Sequence, residues 1–104
     1  MKIKNKCREA ARTLAGRLAA IAHPSRFLIV CLLSEREMFV QEILEYLGTT
    51  KGNISQHLSI LSYKGFIAGR KDGNKVFYSI KDEKIEILIK ELKKIYCPDF
   101  RIKL

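Results

Sequence analysis

The chain has 104 residues, 47% of them apolar, and a formal net charge of +9. That length suits one domain and leaves no room for two, and the apolar fraction supports a real core, though a monomer this small buries a limited share of its surface and gains from dimerisation. No stretch approaches the roughly 18 consecutive apolar residues of a membrane span, and the basic first residues lead into no long apolar run of the signal-peptide kind. A cytoplasmic protein with no membrane partner is expected, its three cysteines reduced and not a disulfide framework.

The charge is unevenly spread. Residues 1–17 carry six Lys/Arg and one Glu, whereas residues 18–50 carry two Arg and four Glu. Residues 51–80 return to five Lys/Arg against one Asp. An excess of this size favours a polyanionic partner, although a merely soluble basic surface has the same composition.

In chain order, residues 5–21 set basic side chains against Ala10, Ala11, Leu14, Ala15, Leu18 and Ile21, the spacing of an amphipathic helix. Its small alanines permit close approach of another helix, including one across a dimer interface. His23-Pro24-Ser25 ends it, with Pro24 suited to the first turn of the next helix. Residues 25–33 are apolar nearly all round and predict a buried helix that contains Cys31. After a polar connector, Met38-Phe39-Val40 predicts a short strand. Val40 to Leu47 predicts a helix with Ile43, Leu44 and Leu47 inward, closed by Gly48.

Thr49 or Thr50 then caps a second helix running to about Lys64, with Ile54, Leu58 and Leu61 inward. Helix, tight turn and helix make a helix-turn-helix. Gly65 ends it. Phe66 to Arg70 and Lys75 to Ile80 predict two strands about an Asp72-Gly73-Asn74 hairpin turn. Asp82 to about Tyr96 predicts a last helix with Ile85, Leu88, Ile89, Leu92, Ile95 and Tyr96 on one stripe, stopped by Pro98.

This order of elements predicts a mainly α, α+β winged helix-turn-helix of about five helices plus a hairpin wing. A recognition helix needs an apolar face to fix it and short polar side chains for base edges on the other. Thr50, Lys51, Asn53, Ser55, Gln56 and Ser59 are available for that role, with His57 between the two faces. The wing offers Arg70, Lys71 and Lys75 beside Gly73, suited to the backbone and minor groove, while Phe77 and Tyr78 read as hairpin core. The alternative is an ordinary α+β domain with a solvated helix face. An enzyme is not expected: there is no phosphate loop, metal-ligand cluster or nucleophile elbow, and His57, the candidate partner for a Cys31 nucleophile, belongs to the recognition helix. No cofactor is expected.

Three segments resemble the ArsR/SmtB family of bacterial winged-helix repressors. They are His23-Pro24-Ser25-Arg26 with Ile29 and Leu32-Leu33, Ile54-Ser55-Gln56-His57-Leu58 with Leu61 and Gly65, and Val76-Phe77-Tyr78. The resemblance spans nearly the whole chain, although Gly52 and Asn53 are unusual at the start of the recognition helix. It implies a homodimeric repressor of double-stranded operator DNA, with the first and last helices forming the dimer interface.

Many members of the family release DNA on binding metal. The positions matching one metal site are Phe39 and Gln41, neither a thiolate. The last helix, where another site lies, offers Asp82, Glu83, Glu86 and Glu91 but no His, and a metal such as zinc prefers Cys or His. No metal site is therefore assigned, and Cys7, Cys31 and Cys97 remain. On their chemistry alone, Cys31 is a small buried hydrophobe and Cys97 a residue that follows the last helix. Cys31 within Arg26 to Leu33, and the ending Ile95-Tyr96-Cys97, resemble the branch of the family that senses persulfides or oxidants through two cysteines. That resemblance implies a Cys31–Cys97 disulfide or polysulfide bridge that weakens DNA binding, with reactive sulfur or oxidant as inducer. Lys93, Lys94 and Arg101 are the cations that could act on Cys97, and Cys7 has no clear partner. A metal sensor using Cys7, Cys97 or both, and a DNA-binding regulator without an inducer, are the alternatives.

Overall fold

The computed structural model describes residues 1–100. Among these, five helices and a three-stranded antiparallel sheet follow the order α1 (Asn5–Ile21), α2 (Pro24–Glu35), β1 (Met38–Phe39), α3 (Val40–Leu47), α4 (Lys51–Tyr63), β2 (Ile67–Asp72), β3 (Lys75–Ile80) and α5 (Glu83–Tyr96). The sheet order is β1-β3-β2, so the short strand before α3 docks on the far side of the hairpin.

Helix α2 is the spine. Pro24 occupies its first turn, and the Nδ1 of His23 accepts from the Ser25 N–H at 3.1 Å, which satisfies one of the end's free donors. Residues Ile29 through Ser34 are all buried, so this helix is enclosed by its neighbours. It runs two residues beyond the predicted end at Leu33, because nothing before Arg36 breaks it.

Helix α1 differs from its sequence pattern in one respect. Only Ala20 and Ile21, in its last turn, are buried, while Leu14 and Leu18 of the amphipathic stripe remain exposed. The helix joins the core only through its last turn, and Leu14 of its stripe borders a groove with Ile85 and Leu88. Arg17 ties its end to the rest by pairing with Asp82 and lying 4.7 Å from the Phe66 ring centroid.

Gly48 adopts φ +66° at the end of α3 and frees the chain to turn. Thr50 then caps α4, its Oγ1 accepting from the Asn53 N–H at 3.2 Å. Ile54, Leu58 and Leu61 are buried as the periodicity predicts. At the far end the Gly65 N–H donates to the Ser62 carbonyl and the Phe66 N–H to the Leu61 carbonyl, both at 3.0 Å. This pair of bonds is a Schellman closure. It commits Phe66 to the end of the helix as a fully buried plug, so β2 begins at Ile67 and not at Phe66.

The hairpin register pairs Asp72 with Lys75 and Ile67 with Ile80, leaving Gly73 and Asn74 as a two-residue loop. At Gly69 an added Cβ would lie 2.9 Å from Val76 Cγ1. A side chain is excluded there because Val76 and Tyr78 of β3 lean across the strand. Asp82 caps α5, its carboxylate accepting from the N–H groups of Lys84 and Ile85. Glu83 and Glu86 in the first turn and Lys93 and Lys94 in the last complement the helix dipole.

Candidate DNA-binding face and cysteine cluster

The outward face of α4 presents Lys51, Asn53, Ser55, Gln56 and Ser59, all exposed. Two of the polar groups at its start are already in use. Thr50 Oγ1 is the cap, and the Asn53 side-chain amide donates to Thr49 Oγ1 at 3.3 Å. Lys51, Ser55, Gln56 and Ser59 are thus the side chains best placed to meet a ligand.

His57 faces inward from this row and is half-buried. Its ring packs against His23, with centroids 4.6 Å apart, and Arg26 Nη1 approaches its Nδ1 at 3.4 Å. Burial, followed by the charges of His23 and Arg26, lowers the His57 pKa, favouring a neutral ring. The ring joins the recognition helix to the start of α2.

In the wing, Arg70, Lys71 and Lys75 are exposed. Arg70 is engaged by the Glu37 carboxylate, is also near Asp72, and lies 4.9 Å from the Phe77 ring centroid. Lys75 Nζ sits 4.3 Å from the centroid of Phe39, and Phe39 packs edge-on against Phe77. Phe77 and Tyr78 are half-buried hairpin residues, as the sequence predicts. Glu37 is a participant that the sequence reading missed. It lies in the polar connector before β1, and only the pairing of β1 with β3 brings it to the wing.

All three cysteines are free thiols: Cys7 and Cys97 are exposed and Cys31 is buried. Cys31 lies on α2 and Cys97 caps the end of α5. The sequence could not say what surrounds them; the structure brings Lys93 between these helices. Lys93 Nζ donates to Ser34 Oγ at 3.0 Å and pairs with Glu35, and Ser34 Oγ donates to the Cys31 carbonyl at 2.6 Å. Burial pushes the Cys31 thiol up to about 11, with Lys93 pulling it down and charge on Cys97 and Glu35 pushing it up. Cys97 also lines an open cavity of about 430 Å³ with Ser34, Glu35, Lys93, Pro98 and Phe100. Lys94 pairs with Glu91 at 3.2 Å, and Arg101 lies outside the described residues. Signals for Lys93 in the sequence were weak, since a lysine in a basic last turn ordinarily reads as solvated.

A helix-turn-helix whose second helix feeds a β-hairpin defines a winged-helix DNA-binding regulator. Among the described residues no single helix is long and apolar enough to cross a membrane. The profile of the bacterial regulatory protein arsR family matches residues 23–68, which span α2 to the start of the wing. The HTH-type transcriptional regulator YgaV of Escherichia coli (strain K12) is 36% identical over 90 residues, covering 86% of this chain and 91% of that protein. The biofilm growth-associated repressor of Xylella fastidiosa is 31% identical over 87 residues, covering 84% of this chain and 76% of that protein. Reduced HlyU from Vibrio cholerae superposes with a TM-score of 0.87 at 28% identity, covering 90% of this chain and 99% of that one. The transcriptional repressor BigR from Xylella fastidiosa gives 0.83 at 28% identity, covering 92% and 98%. The chain belongs to the arsR family of bacterial regulatory proteins, and it is a DNA-binding transcriptional regulator, not an enzyme.

Proposed function

We propose that this regulator represses from operator DNA as a homodimer, and that reactive sulfur or oxidant relieves repression by linking Cys31 to Cys97. The observation that carries this reading is the pair of free thiols on α2 and at the end of α5, with the Lys93 ammonium set between those helices. Through α4 and the wing the dimer places Lys51, Ser55, Gln56 and Ser59 in the major groove, with Lys71, Lys75 and Arg70 at the backbone. The apolar side chains left exposed on α1 and α5, among them Leu14, Leu18, Ile87 and Ile95, supply the dimer interface.

A covalent link between α2 and α5 acts on DNA only if the linked geometry fits the operator less well than the unlinked one. Helix α2 also carries Arg26, which approaches His57 of the recognition helix, and α5 carries the proposed dimer face. A change in their mutual setting therefore reaches both the α4 orientation and the spacing of the two recognition helices. The test is to treat reduced protein with an organic persulfide, record the intact mass and titrate operator DNA. The expected result is a bridged species with reduced affinity in the wild type, absent in Cys31→Ser and Cys97→Ser. Loss of affinity that persists in either variant overturns the mechanism.

A further inference from the structure

Lys93 is an inward-facing lysine, its side chain only 10% exposed. A buried ammonium is costly unless it is paired and hydrogen-bonded. Here it has Ser34 Oγ at 3.0 Å, the Glu35 carboxylate, and the Phe100 ring with its centroid 4.6 Å away. None of these partners belongs to the DNA-binding face. Ser34 passes the contact on, because its hydroxyl donates to the carbonyl of Cys31 at 2.6 Å. The same lysine borders the open cavity that Cys97 lines. One ammonium is thus linked through Ser34 to the backbone of Cys31 and shares a cavity with Cys97.

We propose that Lys93 is the positioning residue of the thiol pair: held by Ser34 and Glu35, its charge stabilises the thiolate that Cys31 must become to close the bridge, so Cys97 reacts first and Cys31 second. This rests on the function proposed above for the two cysteines. The order follows from access, since Cys97 is exposed on a cavity and Cys31 is enclosed. In the electrostatics of Cys31, burial opposes the thiolate most, Lys93 favours it, and the charges of Cys97 and Glu35 oppose it.

The chemistry balances with an organic persulfide, R–S–SH, as the oxidant. The Cys97 thiolate attacks the outer sulfur. A bond from Cys97 Sγ to that sulfur forms, the persulfide S–S bond breaks, and R–S⁻ leaves as the reduced thiolate. Cys31 then loses its proton to water and attacks Cys97 Sγ. The Cys31–Cys97 bond forms and hydrosulfide leaves. Two thiols are oxidised to one disulfide while the persulfide is reduced to a thiol and hydrosulfide.

Quenched-flow intact-mass analysis of full-length protein with glutathione persulfide follows both steps, with Cys7→Ser as the common background. In Lys93→Met, an uncharged side chain of similar length, the species one sulfur heavier should form at the rate seen in the background protein. Bridge closure should slow severalfold, about three- to fourfold for each unit by which the pKa of the attacking thiol rises, because the smaller thiolate fraction is partly offset by the greater nucleophilicity of the thiolate. Lys93→Arg should restore closure, and circular dichroism confirms that each variant is folded. If Lys93→Met does not fold, Lys93→Gln, which keeps a donor for Ser34 without the charge, takes its place. Unchanged closure in the uncharged variant, or closure in Lys93→Arg as slow as in Lys93→Met, overturns the role of Lys93 alone. A background protein that never forms the bridge overturns the cysteine reading and this inference with it.

Discussion

Arg70 donates through Nε and Nη2 to the two carboxylate oxygens of Glu37, at 3.0 and 2.6 Å. That fork ties the first wing strand to the connector that precedes β1 and α3. It also sets a carboxylate beside a cation that the sequence assigns to DNA. The hydrogen bonds from Arg70 hold the Glu37 carboxyl below its usual range, so it stays ionised at neutral pH. A phosphate must therefore compete with Glu37 for the guanidinium.

Glu37→Gln should strengthen DNA binding at low salt, and Arg70→Ala should weaken it. The plot of log K against log salt should steepen in the first and flatten by up to about one unit in the second, following counterion release. Fluorescence anisotropy across a salt series measures both. Weaker binding in Glu37→Gln would mean that the pair shapes the wing and that Arg70 meets no phosphate.

Gln56→Ala and Ser55→Ala should weaken specific binding more than non-specific binding, because both side chains are exposed on the outer face of α4. Lys75→Ala should weaken the two about equally, as loss of a phosphate contact does. Titration of operator and scrambled duplexes at one salt concentration separates these outcomes. An unchanged affinity ratio in Gln56→Ala removes Gln56 from the base-reading set.

Much of this architecture was legible because local signals agreed. Gly48 and Gly65 both adopt positive φ where they were placed as helix ends, and Thr50, one of the two cap candidates, caps α4 through its side chain. What the sequence hid depends on contacts between distant residues. Periodicity assigns Lys93 to a basic helix end, and only the packing of α5 on α2 turns it inward to Ser34. Likewise His57 was placed between two faces, and its partners His23 and Arg26 lie over 30 residues away in the chain. The strand shift at Phe66 has a local cause instead: the residue after a glycine helix end serves the helix before it can serve a strand.

Leu61→Ala should cost about 2–5 kcal/mol, the range for a fully buried leucine, since Leu61 has no exposed surface. Tyr63→Ala, two residues further on and 88% exposed, should stay within about 0.5 kcal/mol. Denaturant unfolding measures both. Similar costs in the two variants would contradict the assignment of the inner face of α4.

His57 gives stability a dependence on pH. Its folded pKa lies below the unfolded value near 6.5, first because of burial and then because of His23 and Arg26. The neutral ring is the form that the fold favours. Its contribution is therefore present above pH 6.5 and is lost as pH falls toward and through the folded pKa. Wild type should lose more stability than His57→Gln between pH 7.5 and 5.5 in matched denaturant titrations. An equal loss would assign the effect to other groups.

The dimer makes the strongest demand on α1. Leu14 is 48% exposed and borders a groove shared with Ile85 and Leu88 of α5, so replacing it should leave the protomer folded. In a two-fold interface the same residue is buried twice. A leucine moved fully from water contributes about 1.5–3 kcal/mol; Leu14 has about half its surface left to bury, so the pair contributes about 1.5–3 kcal/mol. Leu14→Glu should then raise the dimer dissociation constant by about 10- to 10²-fold. DNA affinity should fall with it, because one recognition helix alone loses the second half-site. Sedimentation equilibrium at micromolar protein, with Tyr63→Ala as the control that stays dimeric, reads the effect directly. A wild type that sediments as a monomer, or a Leu14→Glu protein as dimeric as wild type, would show that the exposed stripe of α1 serves something other than a second copy of this chain.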